Sequence, residues 1–175
     1  ERIFRDFQPD VLILSVTTPT LKSDLEACRI ARRLRPACLT VTKGAHFFDS
    51  DVDSLKAYPE LDVVIRGEYE LAAAEVATAE DLAEVPGITY RQGEDIRRNK
   101  DRPLLEDLDR IPYPARHLCH NELYIRPDTG ALQTTVVTSR GCPSRCIYCL
   151  APKVAGSRIR RRSPGNILGE LKECA

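Results

Sequence analysis

The sequence predicts an α/β protein, a doubly wound parallel sheet followed by a separate strand–loop–helix unit. Three observations predict it. Within the first 80 positions, short apolar runs rich in β-branched residues alternate with segments of helical periodicity, joined by short connections. Near the end of the chain a second β-branched run, Leu132–Ser139, opens a different region. Directly after it, three cysteines fall inside eight residues, Cys142-Pro143-Ser144-Arg145-Cys146-Ile147-Tyr148-Cys149.

Val11–Val16 is an apolar run suited to a buried parallel strand. Pro19 marks a helix entrance, Ser23 and Glu26 offer a capping box, and Ala27, Ile30, Ala31 and Leu34 repeat at helical spacing before Pro36 stops the helix. A second strand, Cys38–Thr42, leads into Lys43-Gly44-Ala45-His46. Asp49 or Ser50 can cap a short helix to Tyr58, Pro59 ends it, and Leu61–Ile65 is a third strand. Arg66-Gly67-Glu68 then turns into a helix over Tyr69–Thr78.

In a sheet of this kind, ligands bind outside the carboxyl ends of the strands. Ser15 to Thr18, Gly44 to His46 and Gly67-Glu68 all sit there, which makes Ser15, Thr17, Gly44, Gly67 and Glu68 candidate binding residues. Glycine lets a backbone approach a ligand closely, and hydroxyls can bond its amides. Turn glycines are equally common at strand ends without any ligand. His46 follows the second strand and reads as a loop histidine.

Farther along, Pro86–Arg91 and Asp95–Arg98, joined by Gln92-Gly93-Glu94, read as a small hairpin. Asp107–Pro114 is a proline-punctuated connector, and Tyr124–Gly130 turns the chain into the strand before the cysteines. The expected organisation is a sheet domain over 1–80, a hairpin and linker over 81–130, and a second domain beginning at 131 and running to 175. Within the last, Arg140-Gly141 breaks the strand, the cysteines form a tight loop, and Ser163 with Pro164 starts a helix to about Glu173.

Three thiolates can hold a four-iron cluster while leaving one iron open, whereas a closed structural site takes four ligands. The alternative metal is zinc, with Cys119, His117 or His120 as fourth ligand, although the usual zinc signature has two C-x2-C pairs. Seven cysteines do not pair evenly, and the other four are scattered, as in a protein of the reducing cytoplasm. Lys and Arg balance Asp and Glu at 26 each, so no global field points to nucleic acid, and no apolar run reaches the ~20 residues that a membrane helix needs. The arginine-rich run 158–162 is either a solvated loop or a partner for an anionic group. Without any methionine and starting at Glu1, the chain is expected to be a piece of a longer protein.

Thr138-Ser139-Arg140-Gly141-Cys142-Pro143 through Cys149, followed by Gly156, Arg158, Arg160, Arg162, Ser163 and Pro164, resembles the opening of a radical S-adenosylmethionine (SAM) core. The resemblance implies a partial TIM-type barrel whose first β/α unit carries a [4Fe-4S] cluster on Cys142, Cys146 and Cys149. It further implies SAM on the open iron, Tyr148 near the adenine, and a 5′-deoxyadenosyl radical made with electrons from a flavodoxin- or ferredoxin-like donor.

The first part adds to it. Ser15-Val16-Thr17, Lys43-Gly44-Ala45-His46 and Val64-Ile65-Arg66-Gly67-Glu68-Tyr69-Glu70 resemble segments of the Rossmann-like cobalamin-binding domain that precedes such a core in the B12-dependent class, with Lys43 in place of a common glycine. That resemblance implies cobalamin as a further cofactor and radical methyl transfer or ring closure on a small-molecule substrate. Two other outcomes stay open: a zinc-stabilised binding module without catalysis, and a radical SAM enzyme whose first domain no longer takes cobalamin.

Overall fold

A computed structural model describes residues 1–174. A short helix α1 (Arg2–Phe7) precedes strand β1 (Val11–Ser15), helix α2 (Leu21–Leu34), β2 (Leu39–Lys43), α3 (Asp51–Ala57), β3 (Val63–Ile65) and α4 (Glu70–Thr78). The hairpin β4 (Ile88–Gln92) and β5 (Asp95–Arg98) follows, then a long irregular stretch, β6 (Ser139–Arg140), α5 (Ala151–Ala155), β7 (Arg160–Arg161) and α6 (Pro164–Cys174).

The first five strands form one sheet in the order β1-β2-β3-β4-β5. β1, β2 and β3 are parallel, as the alternating pattern predicts, but the hairpin adds two antiparallel strands, with Ile65 opposite Ile88 and Val63 opposite Tyr90. Alternation along β3 explains the two-layer cover. Val63 and Ile65 face α4 with Val41, Ala72, Val76, Ile88 and Tyr90, while Val64 faces α2 and α3 with Leu25, Cys28, Phe47, Leu55 and Leu61. Helices on both faces make this the Rossmann-like α/β arrangement expected.

The hairpin is held to the sheet by one buried arginine. Arg66, at the exit of β3, is buried and donates to Thr89 Oγ1 (2.7 Å), the Asn99 carbonyl (2.8 Å) and Asp51 (3.3 Å). Arg98 meets the same Asp51 carboxylate at 3.0 Å. Thr89 and Asp51 also bond each other, so hairpin, α3 and β3 share one polar knot.

Several element ends differ from expectation. α2 begins at Leu21, one turn of 3-10 helix containing Pro19 having started the coil already, so Ser23 lies inside it and bonds the Thr20 carbonyl at 2.8 Å. Ser50 precedes α3 but spends its hydroxyl on the His46 carbonyl, 2.6 Å away. Ser163 does cap α6, accepting from Asn166 N–H at 3.1 Å. The expected strand 132–139 shortens to Ser139–Arg140, paired antiparallel with Arg160–Arg161. Leu132 makes an isolated antiparallel bridge to Ile125, and beyond it guanidinium groups take the place of ladder partners: Arg116 bonds the Thr135 carbonyl at 3.0 Å and Arg162 the Val137 carbonyl at 2.9 Å.

Two strand-end glycines have different reasons to be glycine. Gly44 (φ +134°) lies so close to the Val16 carbonyl that a Cβ would penetrate it, whereas Gly67 (φ +73°) faces open space. Gly44→Ala is therefore expected to cost roughly 3 kcal/mol, by overlap and strain together, and Gly67→Ala about 1 kcal/mol, by backbone conformation alone. Urea unfolding of the two variants checks the order; equal losses would contradict the packing role of Gly44.

Candidate functional site

The carboxyl ends of β1, β2 and β3 converge on one edge, because parallel strands place their exits on the same side. Ser15 and Thr17 are exposed there, and Thr17 Oγ1 lies 2.8 Å from Thr20 Oγ1. The loop after β1 is tied to the loop after β2 by Thr18 Oγ1 and His46 Nδ1, 3.0 Å apart. His46 also meets the Phe47 ring edge-on at 5.1 Å between centroids. Lys43, which stands in place of a common first glycine, lays its ammonium 3.6 Å from the centre of the Tyr69 ring, and burial pushes its pKa down. Burial likewise pushes the Tyr69 phenol up.

The cysteine loop is opened and closed by backbone geometry. Gly141 has φ +95°, and a Cβ there would overlap the Arg158 carbonyl, so only glycine lets β6 turn into the loop at this point. Cys142 N–H donates to the Gly156 carbonyl at 3.0 Å, closing the loop at its base. Inside it, Cys149 N–H donates to the Cys146 carbonyl (3.2 Å) and Ala151 N–H to Cys149 Sγ (3.4 Å). Cys142 is half-buried, and Cys146, Cys149 and Tyr148 are exposed, the last at 87%.

Among the described residues no three His, Cys, Asp or Glu side chains converge closely enough to hold a metal ion, and neither Cys119, His117 nor His120 joins the loop thiols. Three free thiols on one loop, with a backbone N–H already aimed at one sulfur, are a donor set that a cluster with one open iron can use. Of the remaining cysteines, Cys28 and Cys38 are buried in the sheet domain, where burial pushes the Cys28 thiol up to about 12 and the Cys38 thiol up as well. Both are packing residues in the protonated form.

Charged side chains carry the loop to the sheet edge. Arg140, two residues before Cys142, grips Glu70 with both terminal nitrogens, one at 3.1 Å, and reaches Glu68 at 3.3 Å. Arg160, 4% exposed, holds Glu68 through a fork of 2.8 and 2.9 Å and donates to the Ala155 (2.8 Å) and Leu105 (2.6 Å) carbonyls. Farther out, the buried Glu170 on α6 pairs with Arg116 at 2.5 Å and with Arg162. The arginine-rich run is thus split: Arg160 and Arg162 are spent on glutamates, whereas Arg158, which pairs with Glu106 at the surface, and Arg161 are exposed to solvent. Sequence reading missed these pairs because their partners lie 92 and 8 positions away, with no local periodicity to join them.

Two hollows flank this brace. One, of about 230 Å³, lies between the proline-rich linker (Leu108, Ile111, Pro112, Pro114) and Tyr69, Glu70, Arg140 and Glu170. The other, of about 320 Å³, opens beside Gly67 between Phe48 and α5.

No family model matches the chain. It is 29% identical over 174 residues to an uncharacterized methyltransferase of Pyrococcus horikoshii, covering 97% of this chain and 38% of that one. To the cobalamin-dependent radical SAM methyltransferase TokK of Streptomyces tokunonensis it is 25% identical over 173 residues, covering 94% and 25%. Its fold matches the cobalamin-dependent SAM radical enzyme OxsB, solved with aqua-cobalamin bound, at a TM-score of 0.75 and 21% identity over 99% of this chain and 24% of that one. Fold, cysteine loop and relatives together bear out the resemblance to B12-binding-domain radical SAM proteins. The chain spans about two-fifths or less of the length of these proteins. No helix among the described residues is long and apolar enough to cross a membrane.

Burial alone would push the Glu170 carboxyl up, but hydrogen bonds and charge from Arg116 and Arg162 outweigh it and hold the group below its ordinary 4.5. A depressed folded pKa contributes stability that is fully present above the unfolded value and is lost as pH falls through the folded one. The melting temperature is therefore expected to fall as pH drops below about 4.5. Glu170→Gln should flatten that acid limb and lose roughly 3 kcal/mol at pH 7, since two guanidinium groups stay buried without their carboxylate. An unchanged acid limb in the variant would contradict the assignment.

Proposed function

We propose that this chain is the cofactor-gathering part of a radical SAM enzyme, with Cys142, Cys146 and Cys149 holding a [4Fe-4S] cluster and SAM completing the open iron. Tyr148 stacks beside the adenine, and Ser15, Thr17, Gly44 and Gly67 line the edge that takes cobalamin. When bound, these cofactors supply a 5′-deoxyadenosyl radical and a transferable methyl group. The reaction we assign is methyl transfer, or related radical chemistry, on a small-molecule substrate, with electrons from a flavodoxin- or ferredoxin-like donor.

One observation carries this reading: Arg140, at the mouth of the cysteine loop, is fastened to the two glutamates that leave β3, so the loop is anchored beside the sheet's ligand edge. A structural zinc site takes four protein ligands, and the loop offers three thiols. The chain's own contribution is positioning. Gly141 turns the backbone into the loop, the Cys142–Gly156 hydrogen bond closes its base, and Gly67 leaves the edge uncovered.

Anaerobic reconstitution with iron and sulfide, followed by metal analysis, tests the proposal. About four irons per chain are expected, falling to background when Cys142, Cys146 and Cys149 are all changed to Ala. Stoichiometric zinc with no iron–sulfur cluster would overturn it. Retention of cobalamin on gel filtration is expected independently of the cysteines, and its absence would remove cobalamin while leaving the cluster in place.

A further inference from the structure

Glu68 follows β3 and stands among the residues expected to contact cobalamin, yet its surroundings assign it other work. A carboxylate offers about four acceptor sites. In Glu68 all four are taken by protein donors: Oε1 accepts from Arg160 Nη2 (2.8 Å) and Arg140 Nη1 (3.3 Å), and Oε2 from Arg160 Nη1 (2.9 Å) and Leu105 N–H (3.0 Å). None is left for a ligand.

Three of the four bonds, those from Arg140 and Arg160, meet the cysteine loop at both of its ends. Arg140 stands directly before Gly141, where the loop begins. Arg160 holds the Ala155 carbonyl, and the next residue, Gly156, accepts the N–H of Cys142 where the loop closes. The chain from Cys142 to Gly156 is therefore a ring whose two feet rest on one carboxylate, itself fixed to the exit of β3. Charge-assisted bonds of this kind are the strongest polar contacts available, and Arg160 and Glu68 are both largely withdrawn from water.

We infer that Glu68 is a positioning residue for the cysteine loop, clamping both loop ends to the exit of β3, and not a ligand contact. The inference rests on the proposed function only in taking the loop to be the cluster site; the clamp itself is a property of the metal-free chain.

Hydrogen exchange of the metal-free chain separates the two. In Glu68→Gln, amides of the Cys142–Gly156 segment are expected to exchange roughly tenfold faster, as loss of a charged hydrogen bond opens a local unit, while β1, β2 and β3 keep their protection. Unchanged loop exchange would overturn the inference. If Glu68→Gln loses the sheet's protection too, Arg140→Gln replaces it: this variant removes the foot of the clamp that precedes Gly141 and leaves the Arg160 fork, and faster exchange confined to the loop's first residues is expected, an unchanged rate overturning the clamp. On reconstituted protein, Glu68→Gln is expected to bind iron as wild type does but to lose the SAM-induced change in its reduced electron paramagnetic resonance spectrum, with cobalamin retention unaltered. Weakened cobalamin retention with a wild-type spectrum would make Glu68 a ligand contact and sink the proposal. Failure of the wild type to take up iron would remove the proposed function and leave the exchange result standing.

Discussion

The Glu68 carboxylate and the two arginines that converge on it are the contact on which the relation between sheet and cysteine loop depends. Neither unit brings the other to the right place by backbone pairing, since β6 and β7 pair only with each other and share no ladder with the five-stranded sheet. Between them lie about forty residues of turns and 3-10 coils. Polar side chains do the joining instead. Glu68 and Glu70 leave β3, Arg140 and Arg160 flank the loop, and the attraction among them outweighs the cost of withdrawing them from water, holding the Glu68 carboxyl below its ordinary range although burial pushes it the other way.

A second brace of the same chemistry stabilises the outer side. Glu170 gathers Arg116 from the linker and Arg162 from the start of α6, and Tyr113 of the proline-rich connector donates to the Asn166 carbonyl at 2.8 Å. A third, around Arg66 and Asp51, binds the hairpin to the sheet. In each case a carboxylate and at least two guanidinium groups from distant positions meet at a seam. The planar, multiply donating guanidinium suits such seams, because one side chain satisfies several backbone and carboxylate acceptors at once.

Much of this was legible in the sequence. Local signals carried the strands and helices of the sheet domain, the hairpin turn at Gly93 and the Ser163-Pro164 start of α6, because apolar period, proline and glycine act over a few residues. The cysteine loop was legible for the same reason, its three thiols and its flanking glycines lying together. What could not be read was pairing across distance. Nothing near Arg160 indicates that its partner is Glu68 and not solvent, and nothing in Ile88–Arg98 shows that the hairpin extends the sheet. The run 132–139 has strand composition but few ladder partners, so composition overstated its length. Gly44 and Gly67 look alike in sequence, and only their surroundings separate a backbone contact from an open edge.

The central claim is that three loop thiols hold a cluster with one iron open to SAM. Electron paramagnetic resonance of the anaerobically reconstituted, reduced chain, recorded with and without SAM, tests it most directly. A reduced-cluster spectrum whose g-values shift on adding SAM is the expected result. A cluster spectrum indifferent to SAM, or no cluster spectrum in protein that has bound zinc, would contradict it.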